Sequence, residues 1–186
     1  MSSRATVAGD ARLRLFLALE LPDDVEKALA DWSERSLRGG RLVSSLHVTL
    51  AFLGSQPRAM LEPILDLLRR EAGATPPFLL EPVRYRETRS VGMVVLADPS
   101  GAATSLAERL HTGLEQLEVY EREHRPWLPH VTVLRFRERP LLAPSLPAIA
   151  AFAPSGAAAF LSRLHPSGAR YEVLESCSLG NGESGG

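Results

Sequence analysis

The sequence predicts an α+β fold in which two sheets carry helices on their outer sides, and three observations point there. The order strand, helix, strand occurs twice, near residues 14–54 and again near 91–136. Each repeat closes on a strand-like phrase holding the same three letters, "LHVTLAFLG" at 46–54 and "PHVTVLRF" at 129–136, with the two histidines 83 positions apart. Short apolar runs separated by tight turns, "HPSG" at 165–168 among them, then finish the chain. An internal duplication of this kind places the two His-x-Thr strands on opposing lobes.

The elements follow in order. "RLFLALEL" (14–21) reads as a buried strand. "PDDVEKALADWSERSL" (22–37) reads as a helix, with Pro22 and two aspartates at its start and Val25, Leu29 and Trp32 on one face. After the first His-x-Thr strand, "RAMLEPILDLLRREA" (58–72) is helical, with Pro63 fitting best in a first turn. "FLLEPVRYR" (78–86) and "VGMVVLAD" (91–98) are strands around a turn, and "AATSLAERLHTGLEQL" (102–117) is a helix striped by Leu106, Leu110, Leu114 and Leu117. The second His-x-Thr strand leads into a Pro-rich connection, the strand candidates "AIAAFAP" (148–154) and "AAAFLSRL" (157–164), and a last strand "RYEVLESCSL" (170–179). The alanine-rich stretch also admits a helix. Residues 1–11 and 181–186 are small and polar and read as frayed tails around one domain, 12–180.

Composition narrows the classes of partner. At 186 residues the chain buries a substantial core, and its formal net charge of −1 predicts no long-range attraction to nucleic acid. Any polyanion must be met locally. Lys27 is the one lysine among 21 basic residues, so arginine supplies nearly all the positive charge. The single cysteine, Cys177, excludes an internal disulfide and a cysteine-based zinc site, and reads as a small buried hydrophobe of the last strand. The reducing cytoplasm is the expected compartment, and no run approaches the roughly 20 apolar residues of a membrane span. No cofactor, membrane or obligate protein partner is called for, and a monomer is expected.

Side chains alternate across a strand, so His47 and Thr49 share one face while Val48 and Leu50 take the other; His130 and Thr132 repeat this with Val131 and Val133. Positions two apart lie about 6.5 to 7 Å from each other along a strand. An imidazole and a hydroxyl at that separation both reach one small tetrahedral group. If both pairs face one cleft, the site holds two imidazoles for proton transfer and two hydroxyl donors for an anion. Five histidines and seven threonines placed at random give about 0.2 such pairs, so two in the same strand context exceed chance.

With these phrases in place the sequence resembles the bacterial and archaeal RNA 2′,3′-cyclic phosphodiesterases, the 2′,5′-RNA ligase-like proteins of the 2H phosphoesterase superfamily. The resemblance runs from about Arg14 to Leu179, through "RLFLALELP", "LHVTLAFLG", "RPWLPHVTVLRF" and "LSRLHPSGARYEVLESCSL". It implies a bilobal fold, two antiparallel-rich sheets lining a central cleft with a pseudo-twofold duplication, and metal-independent opening of RNA or nucleotide 2′,3′-cyclic phosphates to 2′-phosphates. It further implies that His47 protonates the departing O3′ while His130 serves as base toward water; the residues by themselves allow the exchange. Thr49 and Thr132 would donate to nonbridging oxygens. Arg135 is implied as a phosphate ligand, five residues after the second histidine. Strict alternation turns Arg135 away, so a bulge or the strand's end must re-aim it.

Phe52 holds the matching fifth position after His47, and Trp127 precedes the second motif; either ring suits stacking on a nucleobase or plain core packing. His111, on a polar helix flank, His124, in "EREHRP", and His165, at a turn, read as surface residues. Arg84, Arg86 and Arg89 lie near the 78–98 hairpin as solvated charges or RNA contacts. Two histidines without a nearby carboxylate or cysteine do not complete a metal site, and Asp66 and Asp98 lack supporting spacing. A non-catalytic nucleotide-binding module is the rival class, but binding alone has no use for two proton-transfer groups. Related enzymes act on ADP-ribose cyclic phosphate, and the same site run backwards predicts weak 2′,5′-ligation.

Overall fold

The computed structural model describes residues 11–166 and 168–180. The tails expected at the two ends lie outside the described residues except for Ala11, whose carbonyl accepts a hydrogen bond from the Arg58 amide at 3.0 Å. Among the described residues there are eight strands, β1 (Arg12–Glu20), β2 (Arg41–Leu42), β3 (His47–Pro57), β4 (Glu81–Glu87), β5 (Val91–Ala97), β6 (His130–Arg135), β7 (Gly156–Arg163) and β8 (Arg170–Cys177). Three helices accompany them, α1 (Asp23–Ser36), α2 (Leu61–Gly73) and α3 (Ala102–Gln116).

The strands run antiparallel in the order β4-β5-β6-β3-β1-β7-β8, with β2 paired to β6. The two expected sheets are the two halves of this order, and they meet where Val48 of β3 pairs with Val131 of β6. The duplication is plain in the topology: β1 pairs with β3 and β5 pairs with β6, so each His-x-Thr strand lies beside the strand that opens its own repeat. The helices cross over. α1 packs against β6 and α3 against β3, so each repeat's helix supports the other repeat's histidine strand.

β1 reads as a continuous apolar run because it is covered on both faces. Leu15, Leu17 and Leu19 enter the main core with the helix residues, while Phe16 and Ala18 form a second cluster with Ala158 and Phe160 on the opposite face. Each fully buried leucine contributes roughly 1.5 to 3 kcal/mol. In α1 the apolar face is Val25, Leu29 and Trp32 as the spacing predicts, and the Trp32 Nε1 donates to the Ser145 carbonyl at 2.9 Å, tying the helix to the Pro-rich connection. Asp23, Asp24 and Glu26 stand in its first turn, where carboxylates complement the exposed amides. Asp98 serves α3 in the same way, accepting from the Thr104 amide at 2.8 Å and its hydroxyl at 2.9 Å.

Two expectations need correction. "AIAAFAP" forms no strand; it is irregular chain that touches β-structure at one bridge, Phe152 to Leu80. Pro147 and Pro154 bracket the segment, and proline gives no N–H to a sheet ladder. Cys177 is half-buried rather than core, with its Sγ 3.9 Å from Glu175.

Candidate active site

The pairing of Val48 with Val131 organises the site. Extending that antiparallel register by one residue sets His47 across from Thr132 and Thr49 across from His130, on neighbouring strands about 4.8 Å apart. Both valines are fully buried on the helix side, so the four polar side chains share the other face. The pseudo-twofold axis passes between the valines, and each imidazole therefore neighbours the hydroxyl of the other motif.

Each motif then carries a β-bulge at the same place. Along β1 and β3 the partners step from Ala18–Thr49 to Leu17–Ala51, leaving Leu50 extra. Along β5 and β6 they step from Met93–Thr132 to Gly92–Leu134, leaving Val133 extra. Both are the third residue after the histidine. A bulge puts two successive residues on one side, and Leu50 with Ala51, like Val133 with Leu134, are all buried. The alternation is thereby reset, and the fifth residue returns to the histidine's face of the strand as an exposed side chain: Phe52 in one motif, Arg135 in the other. Gly92 opposes this irregularity because a Cβ there would collide with the Tyr85 hydroxyl.

His47 sits in an aromatic cage. Its ring lies 4.9 Å from Phe16, 5.9 Å from Phe160 and 5.6 Å from the edge-on Tyr171. Desolvation there disfavours the imidazolium, and the nearby charges of Arg135 and His130 add to it, so the pKa falls from the ordinary 6.5 to about 4. The Ser45 backbone favours the charged ring but falls short of hydrogen-bond geometry, leaving the buried Nδ1 without a partner. The free site thus holds a neutral His47 near pH 7. His130 is held differently: its Nδ1 stands 2.8 Å from the Leu128 carbonyl, which only accepts, so Nδ1 carries a proton and Nε2 is the ring nitrogen left to meet other groups.

A cleft of about 590 Å³ runs beside the motifs, lined by Thr49, Phe52, Met93, Tyr120, Trp127 and His130. Phe52 is 51% exposed, with the Arg14 guanidinium 5.0 Å over its ring. Trp127 is half-buried and donates its Nε1 to the Thr49 carbonyl at 3.0 Å while its ring lines the cleft. Arg84 and Arg86 also line the cleft; Arg89 is exposed and is not part of the lining. His124 and His165 are exposed as expected.

His111 is not a surface residue. It is 6% exposed, and its Nε2 lies 2.7 Å from the Leu50 carbonyl. The spacing Ala103, Ala107, His111 marks a second buried row of α3 that the leucine stripe conceals, since small residues contribute little to an apolar pattern. The cage around His47 also went unseen, because Phe160 and Tyr171 arrive from strands whose register no local pattern sets. Among the described residues, no group of three or more His, Cys, Asp or Glu is arranged to hold a metal, and no helix is long and apolar enough to cross a membrane.

Comparison with known proteins agrees with this architecture. Residues 21–163 match the family model of the 2′-5′ RNA ligase superfamily. The chain is 35% identical over 188 residues to an RNA 2′,3′-cyclic phosphodiesterase of Thermus thermophilus, covering 93% of each chain. Its fold superimposes on the crystal structure of TT0787 from the same organism with a TM-score of 0.78 at 32% identity, over 91% of this chain and all of that one. It also superimposes on E. coli LigT complexed with 3′-AMP with a TM-score of 0.79, over 92% of this chain and all of that one; at 22% identity this likeness speaks for the fold. The cleft takes Thr49 from one motif and His130 from the other, and the matches place the chain in the 2′-5′ RNA ligase superfamily, to which it belongs.

Proposed function

We propose that this protein opens RNA 2′,3′-cyclic phosphate ends, or the corresponding cyclic nucleotides, to 2′-phosphates without a metal ion. The observation that carries this is the meeting of two imidazoles and two threonine hydroxyls on one face across the Val48–Val131 pair. The Thermus relative bears the name of the same activity. One imidazole removes a proton from water as its oxygen bonds to phosphorus; the other protonates O3′ as the P–O3′ bond breaks. Thr49, Thr132 and Arg135 donate to the nonbridging oxygens, where charge accumulates in the pentacoordinate transition state. Phe52 offers an exposed face for the terminal base, and the half-buried Trp127 lines the same cleft.

The resemblance assigns the acid to His47 and the base to His130. The neutral state of His47 favours the exchange, in which His47 takes the proton from water and His130 gives one from Nε2. Microscopic reversibility makes weak 2′,5′-ligation the same step run backwards. With one cysteine and a net charge of −1, we take the protein to work as a cytoplasmic monomer on its RNA ends.

The test is incubation of purified protein, in EDTA, with an RNA ending in 2′,3′-cyclic phosphate. A 2′-phosphate product supports the proposal. No opening, a strict metal requirement, or a 3′-phosphate product sinks it. His47→Ala and His130→Ala should each lose about 10²-fold to 10⁴-fold in rate, as removed proton-transfer groups do.

A further inference from the structure

We propose that His111 is a positioning residue for the first motif: its ring holds the Leu50 carbonyl and thereby fixes the bulge that aims the adjoining Thr49 into the cleft. The inference rests on the reading of that cleft as the hydrolytic site. Its starting point is the pseudo-twofold symmetry. Leu50 and Val133 are the extra residues of equivalent bulges, and a bulge takes such a residue out of the regular ladder. Both carbonyls nonetheless find donors from outside.

Val133 is served by main chain, since the Val43 amide donates to its carbonyl at 3.0 Å just beyond β2. β2 itself pairs along β6 through Leu42–Leu134 and Arg41–Arg135. β3 is served by side chains at the equivalent place. His111, reaching from α3, approaches the Leu50 carbonyl at 2.7 Å, and Trp127 donates to the adjacent Thr49 carbonyl at 3.0 Å. Because a carbonyl only accepts, the His111 Nε2 carries the proton. The ring is buried on α3, and its other wall is Tyr120, 4.9 Å away. The same job is thus done by an element of backbone in one half and by a buried imidazole in the other. Only the second can be deleted by one substitution.

Without the imidazole, the Leu50 carbonyl must find water or rotate, and rotation shifts the Thr49 side chain that adjoins it in the cleft. A small displacement of a group that must meet a transition state costs rate far more than binding.

The experiment compares full-length wild type, His111→Leu and His111→Gln on an RNA 2′,3′-cyclic phosphate. His111→Leu should lower kcat about 10-fold to 100-fold with little change in KM. His111→Gln, which keeps an N–H donor at a similar reach, should recover most of it. In a Thr49→Val background the leucine substitution should add little, whereas in a Thr132→Val background it should cost its full factor, because only Thr49 adjoins the bulge it props. Full kcat in His111→Leu, or the same factor in both backgrounds, overturns the proposal.

A second measurement on the unmutated protein covers a leucine variant that fails to fold. The nitrogen chemical shifts of His111 should report a protonated Nε2; a ring protonated on Nδ1 alone overturns the proposal. If wild type opens no cyclic phosphate, the proposed function falls, and the Nε2 state still decides whether His111 holds Leu50.

Discussion

Replacing His47 with glutamine should remove a pH-dependent loss of stability that the aromatic cage imposes. The unfolded imidazole takes its proton as pH falls through about 6.5, whereas the native ring, desolvated among Phe16, Phe160 and Tyr171, resists protonation until about 4. Between those values the unfolded state binds more protons, so stability is lost as pH falls through this window and is level above it. At 1.36 kcal/mol for each tenfold change, wild type should lose about 3 kcal/mol between pH 7 and pH 4 that His47→Gln does not lose. Urea unfolding of both proteins at about pH 7, 5.5 and 4 measures this. Every other titrating group is shared, and the fixed cost of burying an amide cancels in the comparison. Parallel curves would refute the reasoning. They would mean that the ring is solvated in the native state, and the neutral starting form that favours His47 as base would lose its ground.

Arg135→Gln should raise the pKa of His47, since the guanidinium is one of the charges that oppose its protonation, and should slow hydrolysis; an unmoved imidazole titration by NMR would place Arg135 away from the site. Thr132→Val and Thr49→Val should each cost on the order of 2.7 to 4 kcal/mol of barrier if their hydroxyls meet the developing charge, and a loss confined to KM would reassign them to ground-state binding. Phe52→Ala should weaken nucleotide affinity by roughly 1 to 3 kcal/mol in calorimetry through lost base stacking, and unchanged affinity would leave its exposed ring without that use. Gly92→Ala should destabilise the fold by about 1 to 3 kcal/mol by crowding Tyr85, and equal unfolding midpoints would contradict the close approach.

The elements were legible because each carries a period of its own. Val25, Leu29 and Trp32 mark a helix face, and the apolar runs of β1 and β5 mark strands covered on both sides. His47 with Thr49 and His130 with Thr132 were legible because repetition in equal contexts exceeds chance. Arg135 shows where a local rule ended. Alternation turns it off the histidine face, and only the Val133 bulge, set by pairing with β5, returns it to that face. β2 was missed because two residues carry no pattern, and His111 because Ala103 and Ala107 hide the row it belongs to. In each case the missing information lies in a pairing between distant segments.

The bulges also explain why a duplicated site serves an asymmetric reaction. Opening a cyclic phosphate needs one group that takes a proton and another that gives one, so two identical halves would be poorly matched to it. The duplication fixes what both halves share: the histidine, the threonine, and a bulge that returns the fifth residue to the histidine's face. It leaves free what surrounds them. One imidazole is enclosed by Phe16, Phe160 and Tyr171, and the other is tethered to the Leu128 carbonyl. One fifth residue is an aromatic face and the other a guanidinium, which suits a base at one end of the cleft and a phosphate at the other. Environments that differ around equivalent groups are what separate an acid from a base. Exchanging Phe52 and Arg135 would therefore keep both bulges and both imidazoles while reversing the polarity of the cleft. The exchanged protein should fold, and it should lose hydrolysis of the present substrate by more than either single substitution does.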